Sequence, residues 1–287
     1  MCEKSEVAPA YNNGFERKKV TAVKIFCLMT LVFLIALVPG SYLVPAPKFC
    51  PAEGDCKRPE IFAFEFVNAC TFLWQSFIAI RSYHFRKTPM KTFPQTPEGR
   101  VFGFSEESEL IACVSMTIQL WGLVFTPGIK EFSSAIMLGH HFVAALVSYI
   151  ALRYQYYYYY SVFYLALSEV SSLPLLVMSI SKYFPPAQGS LFAIAQDLSG
   201  PLFAVTFTYY RVYLWLKTTK QLWKDGYYCL STGVSNKFRP GLNCCLYLIL
   251  TCCALLSFLQ LYWFKLIVME VLRAIGFELP ETNPGFE

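Results

Sequence analysis

An all-α fold, a polytopic bundle of about seven transmembrane helices, is what this sequence predicts, and three observations carry the prediction. Charged residues make up only 15% of the 287, well below the quarter or so found in soluble domains. Apolar stretches recur along the chain, each approaching or exceeding the roughly 20 residues of helix that cross a bilayer. Lys and Arg gather in short clusters between those stretches, as topology signals do. They do not form the single basic face that a nucleic acid would need, so no nucleic-acid partner is expected.

Residues 1–19 are polar, end in Glu16-Arg17-Lys18-Lys19, and read as a tail. The apolar run 20–38 follows a basic flank but precedes no small-x-small cleavage site in Pro39-Gly40-Ser41-Tyr42, so residues 20–44 are expected to be an uncleaved anchor. Cys50 and Cys56 flank a polar loop and form a candidate disulfide if that loop faces an oxidising lumen. Residues 61–80 make a second span that carries Glu65, Asn68 and Gln75 and stops at Arg81. The basic, Pro- and Thr-containing segment 81–107 reads as a loop.

A third span, 109–125, ends at Thr126-Pro127-Gly128, and a fourth covers about 132–152. Tyr156 to Tyr160 are five consecutive tyrosines, whose apolar rings and polar hydroxyls suit a membrane interface at the start of a fifth span. That span runs to about residue 181, with Pro174 expected to kink it. A sixth span, 190–216, carries Asp197 and Arg211, and a second basic connector occupies 217–241. The seventh, 242–268, ends in Leu259-Gln260-Leu261-Tyr262-Trp263-Phe264-Lys265, and residues 274–287 form an acidic tail.

On this reading sixteen Lys and Arg residues, counting Lys24 near the start of the first span, fall on the side of the N-terminus and six on the other, with Arg211 and Lys265 inside later spans left out. The positive-inside rule then puts the N-terminus in the cytoplasm.

The chain contains no Gly-rich phosphate loop, no paired CxxC motif and no Ser-His-Asp order, which removes the nucleotide, zinc-finger and triad-hydrolase classes that such motifs mark. No cofactor is expected. What stands out is His140-His141, two of only three histidines, in the middle of an apolar span. Ionisable groups at membrane depth are costly unless they face a bundle interior, and by default mark a functional site. At about 1.5 Å of rise per residue, His140, His141, Glu169, Asp197, Asn68 and Gln119 fall near one depth on five helices.

An imidazole held by a carboxylate is a general base or an acyl-accepting nucleophile. His140, His141, Glu169 and Asp197 are therefore the candidate catalytic set, with Glu169 the first choice to orient the histidines. Adjacent helical residues diverge by about 100°, so a metal shared by both imidazoles ranks lower. The structural alternative is that Glu169 and Asp197 are buried partners of Arg211 or the imidazoles.

Four segments together resemble a known family. These are Met137-Leu138-Gly139-His140-His141, the stretch 165–172 with Glu169, Phe207-Thr208-Tyr209-Tyr210-Arg211-Val212, and Leu259-Gln260-Leu261-Tyr262-Trp263-Phe264. In this order and spacing they are similar to the TLC domain, shared by translocating-chain-associating membrane proteins, ceramide synthases and several lipid-regulating proteins. The resemblance covers residues 61–268. It implies an endoplasmic reticulum membrane, a six-helix core around a polar, lipid-accessible cavity, and membrane lipids as partners in lipid homeostasis. Asn68, Gln119, Arg211, Gln260 and Trp263 would line that cavity.

The ceramide synthase branch of the family would make the His pair catalytic, moving an acyl chain from acyl-CoA, as co-substrate, to a long-chain amine on the way to sphingolipids. The sequence departs from that branch: the stretch 148–153 lacks its asparagine, and Ser168-Glu169 stands where its His-Asp would be. A seven-helix receptor is disfavoured, because it needs the opposite orientation and gives the His pair no role.

Overall fold

A computed structural model describes residues 15–43 and 58–277 of the chain. Among them, seven helices are long and apolar enough to cross a membrane, in the order the hydropathy predicts. The helices are α1 (Phe15–Leu43), α2 (Pro59–Tyr83), the short α3 (Pro97–Phe102), α4 (Glu106–Phe125), α5 (Ala135–Tyr154), α6 (Tyr158–Tyr164), α7 (Ser172–Tyr183), α8 (Leu191–Phe207), α9 (Trp215–Ser231), α10 (Val234–Phe238) and α11 (Asn243–Ala274). Cys50 and Cys56 lie outside the described residues.

Helices α4 and α5 form a hairpin, α1 lies across α2 and α4, α7 packs on α2 and α8, and α11 packs on α5 and α9. Helix α1 starts at Phe15, earlier than hydropathy alone places it, because Lys18 is drawn inward. Its ammonium lies 2.8 Å from Glu109 of α4 and donates to the Leu152 carbonyl at 3.1 Å. A buried charge is tolerated when it is paired and hydrogen-bonded in this way. Toward the other end of the bundle, Phe33, Phe64, Trp121 and Phe125 pack ring against ring.

Four segments differ from what the sequence predicts, each for a local reason. The fifth span is broken: between α6 and α7 a 3-10 turn covers Leu167–Ser171. The break leaves backbone carbonyls without helical partners, and side chains take them. Gln75 Nε2 donates to the Leu165 carbonyl at 2.9 Å and Arg211 Nε to that of Ser168 at 3.1 Å. Pro174 lies in the first turn of α7, where a helix leaves N–H groups unpaired in any case, so it does not kink the span.

The tyrosine run is core, not membrane interface. Tyr156, Tyr157, Tyr158 and Tyr160 are buried, and their hydroxyls reach the Leu242 carbonyl, Cys253, Glu109 and Asp225 respectively. Tyr157 has φ of 73°, which turns the chain from α5 into α6. Its backbone N–H donates to the Val101 carbonyl at 2.7 Å.

The segment 217–241 is largely helical. α8 continues without interruption through a π-helical stretch, Thr208–Leu214, into α9. The result is one rod of 41 residues, about 60 Å long. Gly226 lets α9 approach α11, since a Cβ there would lie 3.1 Å from the Leu250 side chain.

The connector 81–107 is not a bare loop either. It buries Phe93, Val101 and Phe102, and it is held to α9 by Arg100. That guanidinium forks onto Asp225 at 2.5 and 2.8 Å. Tyr160 and Gln221 complete the aspartate's shell.

Candidate functional site

The site is built where α4, α5, the broken fifth span, the π stretch and α11 meet. Helix α5 is capped by Ser134, whose hydroxyl accepts from the Met137 amide at 3.3 Å. The helix then carries His140 and His141 one turn in. Because consecutive helical side chains diverge by about 100°, the two rings face different neighbours.

His141 faces α4. Its Nδ1 donates to Gln119 Oε1 at 2.5 Å, which fixes the proton on that nitrogen, since an amide oxygen only accepts. Gly122, one turn further along α4, makes room for the ring: a Cβ there would lie 3.1 to 3.3 Å from three of its atoms.

His140 faces α11. The Trp263 ring meets it edge-on with centroids 5.4 Å apart. Its Nδ1 is buried and has no hydrogen-bond partner among the described residues. The residue as a whole is partly exposed, while this nitrogen lies inside the bundle.

Glu169 and Arg211 form the charged centre. Arg211 Nη2 lies 3.0 Å from Glu169 Oε2, and both side chains are almost fully covered. The same nitrogen donates to Ser172 Oγ at 2.9 Å, and Nε donates to Ser171 Oγ at 2.8 Å. Ser172 also donates to Glu169 Oε2 at 2.6 Å. A buried ion pair needs such extra hydrogen bonds to offset its desolvation. The Ser168 carbonyl and the Ser171 and Ser172 hydroxyls supplied at the helix break are thus the reason the pair can sit here.

The polar residues that the sequence places at one depth separate into groups. Gln119, the partner of His141, and the Glu169–Arg211 pair border a cavity of about 20 Å³, together with His140, Ser115 and Ser168. Asn68 is elsewhere: its amide donates to Glu65 at 3.2 Å, and Ser179 donates to the same carboxylate at 2.5 Å. Asp197 is exposed on α8, away from both imidazoles. Gln260 is buried on α11, and neither atom of its amide has a partner among the described residues. Neither histidine is bonded to a carboxylate among the described residues, so the orienting role expected of Glu169 is replaced by an ion pair with Arg211.

Three features escaped the sequence reading: the Ser168/Ser171/Ser172 shell of Arg211, the Glu65–Ser179 contact, and the close approach at Gly122. The repeated serines beside Glu169 were the available signal for the first. The other two depend on which helices are neighbours.

Fold and site together define a multi-pass α-helical membrane protein with a neutralised ion pair and two imidazoles inside its bundle. The family model described as the TLC domain matches residues 61–269, and the chain belongs to that family. No curated protein and no solved structure matches it.

Proposed function

We propose that this protein binds a membrane lipid at the His140 cavity and acts in membrane lipid homeostasis, with the endoplasmic reticulum membrane as its location. The observation that supports this reading is the pairing of a sealed Glu169–Arg211 centre with an unbonded, buried His140 nitrogen at the same cavity. Polar groups are kept inside a membrane bundle where they pair with one another or meet a substrate. Here one pair is complete and one nitrogen is available.

Acyl transfer from acyl-CoA to a long-chain amine is the alternative. It draws on the same His140 nitrogen as nucleophile, but among the described residues no carboxylate is bonded to either imidazole to hold a transferred proton.

The test is lipid retention. Protein purified in detergent and washed by repeated detergent exchange should still release lipid to mass spectrometry, and His140→Ala should release much less. Retention no greater than that of an unrelated multi-pass protein of similar size would overturn the reading. Transfer of a labelled acyl chain to a long-chain amine, abolished in His140→Ala, would favour the alternative.

A further inference from the structure

The choice of head group follows from three properties of the bundle around the cavity. First, the charge is balanced. Arg211 is the cation at the cavity, and Glu169, Ser171, Ser172 and the Ser168 carbonyl already engage it. A phosphate or carboxylate would have to compete with a carboxylate that is fixed in place.

Second, the polar groups left over are neutral and offer both senses of hydrogen bond. Gln260 is 1% exposed with both its amide nitrogen and its amide oxygen unbonded, and His140 Nδ1 on α5 is unbonded too among the described residues. Placement on α11 brings these groups to one wall. Leu256, one turn before Gln260, borders the cavity with His140, and Trp263, three residues after it, lies against the His140 ring. Leaving a buried amide unmatched costs about 1–3 kcal/mol per group, so this stripe of α11 is expensive unless something meets it.

Third, the cavity is small, with about 20 Å³ open to the centre of a water-sized group, and a hydroxyl fits it. A hydroxyl also accepts from an amide nitrogen while donating to an amide oxygen or an imidazole nitrogen.

We infer that Gln260, with His140, reads an uncharged hydroxyl-bearing lipid head group, so that the site selects neutral lipids over anionic or cationic ones. The inference rests on the lipid-binding reading above and adds to it the chemical class of the ligand and the residue that sets it.

The experiment uses the full-length protein in detergent micelles, with dioleoylglycerol, dioleoyl phosphatidic acid and a long-chain amine as probes and thermal stabilisation as the readout. A ligand that binds only the folded state raises its unfolding temperature in proportion to occupancy. Dioleoylglycerol should stabilise the wild type, and the two charged lipids should do so at least about tenfold less avidly. Gln260→Leu should lose that response while its lipid-free unfolding temperature stays equal to or above wild type, because an apolar group replaces an unmatched amide. Gln260→Met, unbranched and of similar length, serves as a second variant should leucine fail to pack.

Equal or stronger stabilisation by phosphatidic acid or the amine would overturn the inference. So would an undiminished dioleoylglycerol response in a folded Gln260 variant, which would leave a structural water as the partner of the amide. If dioleoylglycerol fails while a charged lipid binds, lipid binding itself stands and only the head-group assignment falls. If the wild type responds to none of the three and also releases no lipid on purification, both readings fall together.

Discussion

Gly122 of α4 and His141 of α5 are in contact at the one point where a side chain on α4 would collide with the imidazole: a Cβ there would lie 3.1 Å from Cε1 and 3.2 Å from Nδ1. Gly139, on the same helix as the histidine, has nothing within 4 Å of the equivalent position. Gly122→Leu should therefore push the ring off Gln119 and cost about 1–3 kcal/mol, as overpacking does, whereas Gly139→Leu should cost little. Thermal unfolding of the two purified variants side by side checks the contrast, and equal behaviour would refute it.

Removing one partner of a buried pair leaves the other charged and unmatched, typically at about 3–5 kcal/mol, while replacing both with apolar residues is often neutral. Arg211→Met alone should accordingly lower stability strongly, because Glu169 is largely covered beside it. The double variant Arg211→Met/Glu169→Leu should recover at least half of that loss. A double variant no more stable than the single one would mean that the serine shell, and not charge balance, sets the stability.

At the other end of the bundle, Arg58 forks onto Glu131 just before α5, with Nη2 at 2.6 Å from Oε2 and Nη1 also bonded. The hydrogen bond from Arg58 holds the Glu131 carboxyl below its ordinary range. A depressed carboxylate contributes stability that is present above its unfolded value of about 4.3 and is lost as pH falls through the lower folded value. Wild type should therefore lose stability relative to Glu131→Gln as pH drops below about 4.3. Parallel pH-dependence curves for the two proteins would show that the pair contributes nothing.

Asp225 accepts from Arg100, Tyr160 and Gln221 and is the anchor of the connector 81–107 on α9. Asp225→Ala should free that connector, at a cost of about 3–5 kcal/mol for the broken buried pair. Lys87 and Lys91 are exposed within it. Trypsin should cut there markedly faster in the variant, and an unchanged cleavage pattern would show that the aromatic packing of Phe93 and Phe102 suffices.

The sixteen-to-six division of basic residues predicts a cytoplasmic N-terminus. A tag placed before Met1 should be removed by protease added to sealed microsomes, with a tag after Glu287 protected. The reverse pattern would invert the orientation.

Much of this architecture was legible in the chain because crossing a bilayer demands long apolar helices, and these are visible in composition alone. The His140-His141 pair was equally visible, being polar where almost nothing else is. Partner choice was not. Glu169 has a histidine pair and an arginine as candidate mates at nearly the same depth, and the selection of Arg211 depends on carbonyls exposed by a helix break that no residue announces. The tyrosine run misled for a related reason: a ring with a hydroxyl suits an interface, but four of the five find acceptors or partners inside the protein. Counting along a straight helix gives Asp197 a depth but no azimuth. Depth comes from sequence distance, whereas facing comes from neighbours.

Azimuth also governs the long rod that runs from Leu191 to Ser231. Each helical residue advances by about 100°, so a widened turn at Thr208–Leu214 sets the rotational phase of everything beyond it. Arg211, within that turn, faces Glu169, while Asp225, further on, faces Arg100. One torsional setting therefore serves two buried charge clusters. Deleting a single residue between them would swing one cluster about a quarter-turn out of register with its mate. This stretch can exchange side chains, but its length is fixed by the two appointments it has to keep.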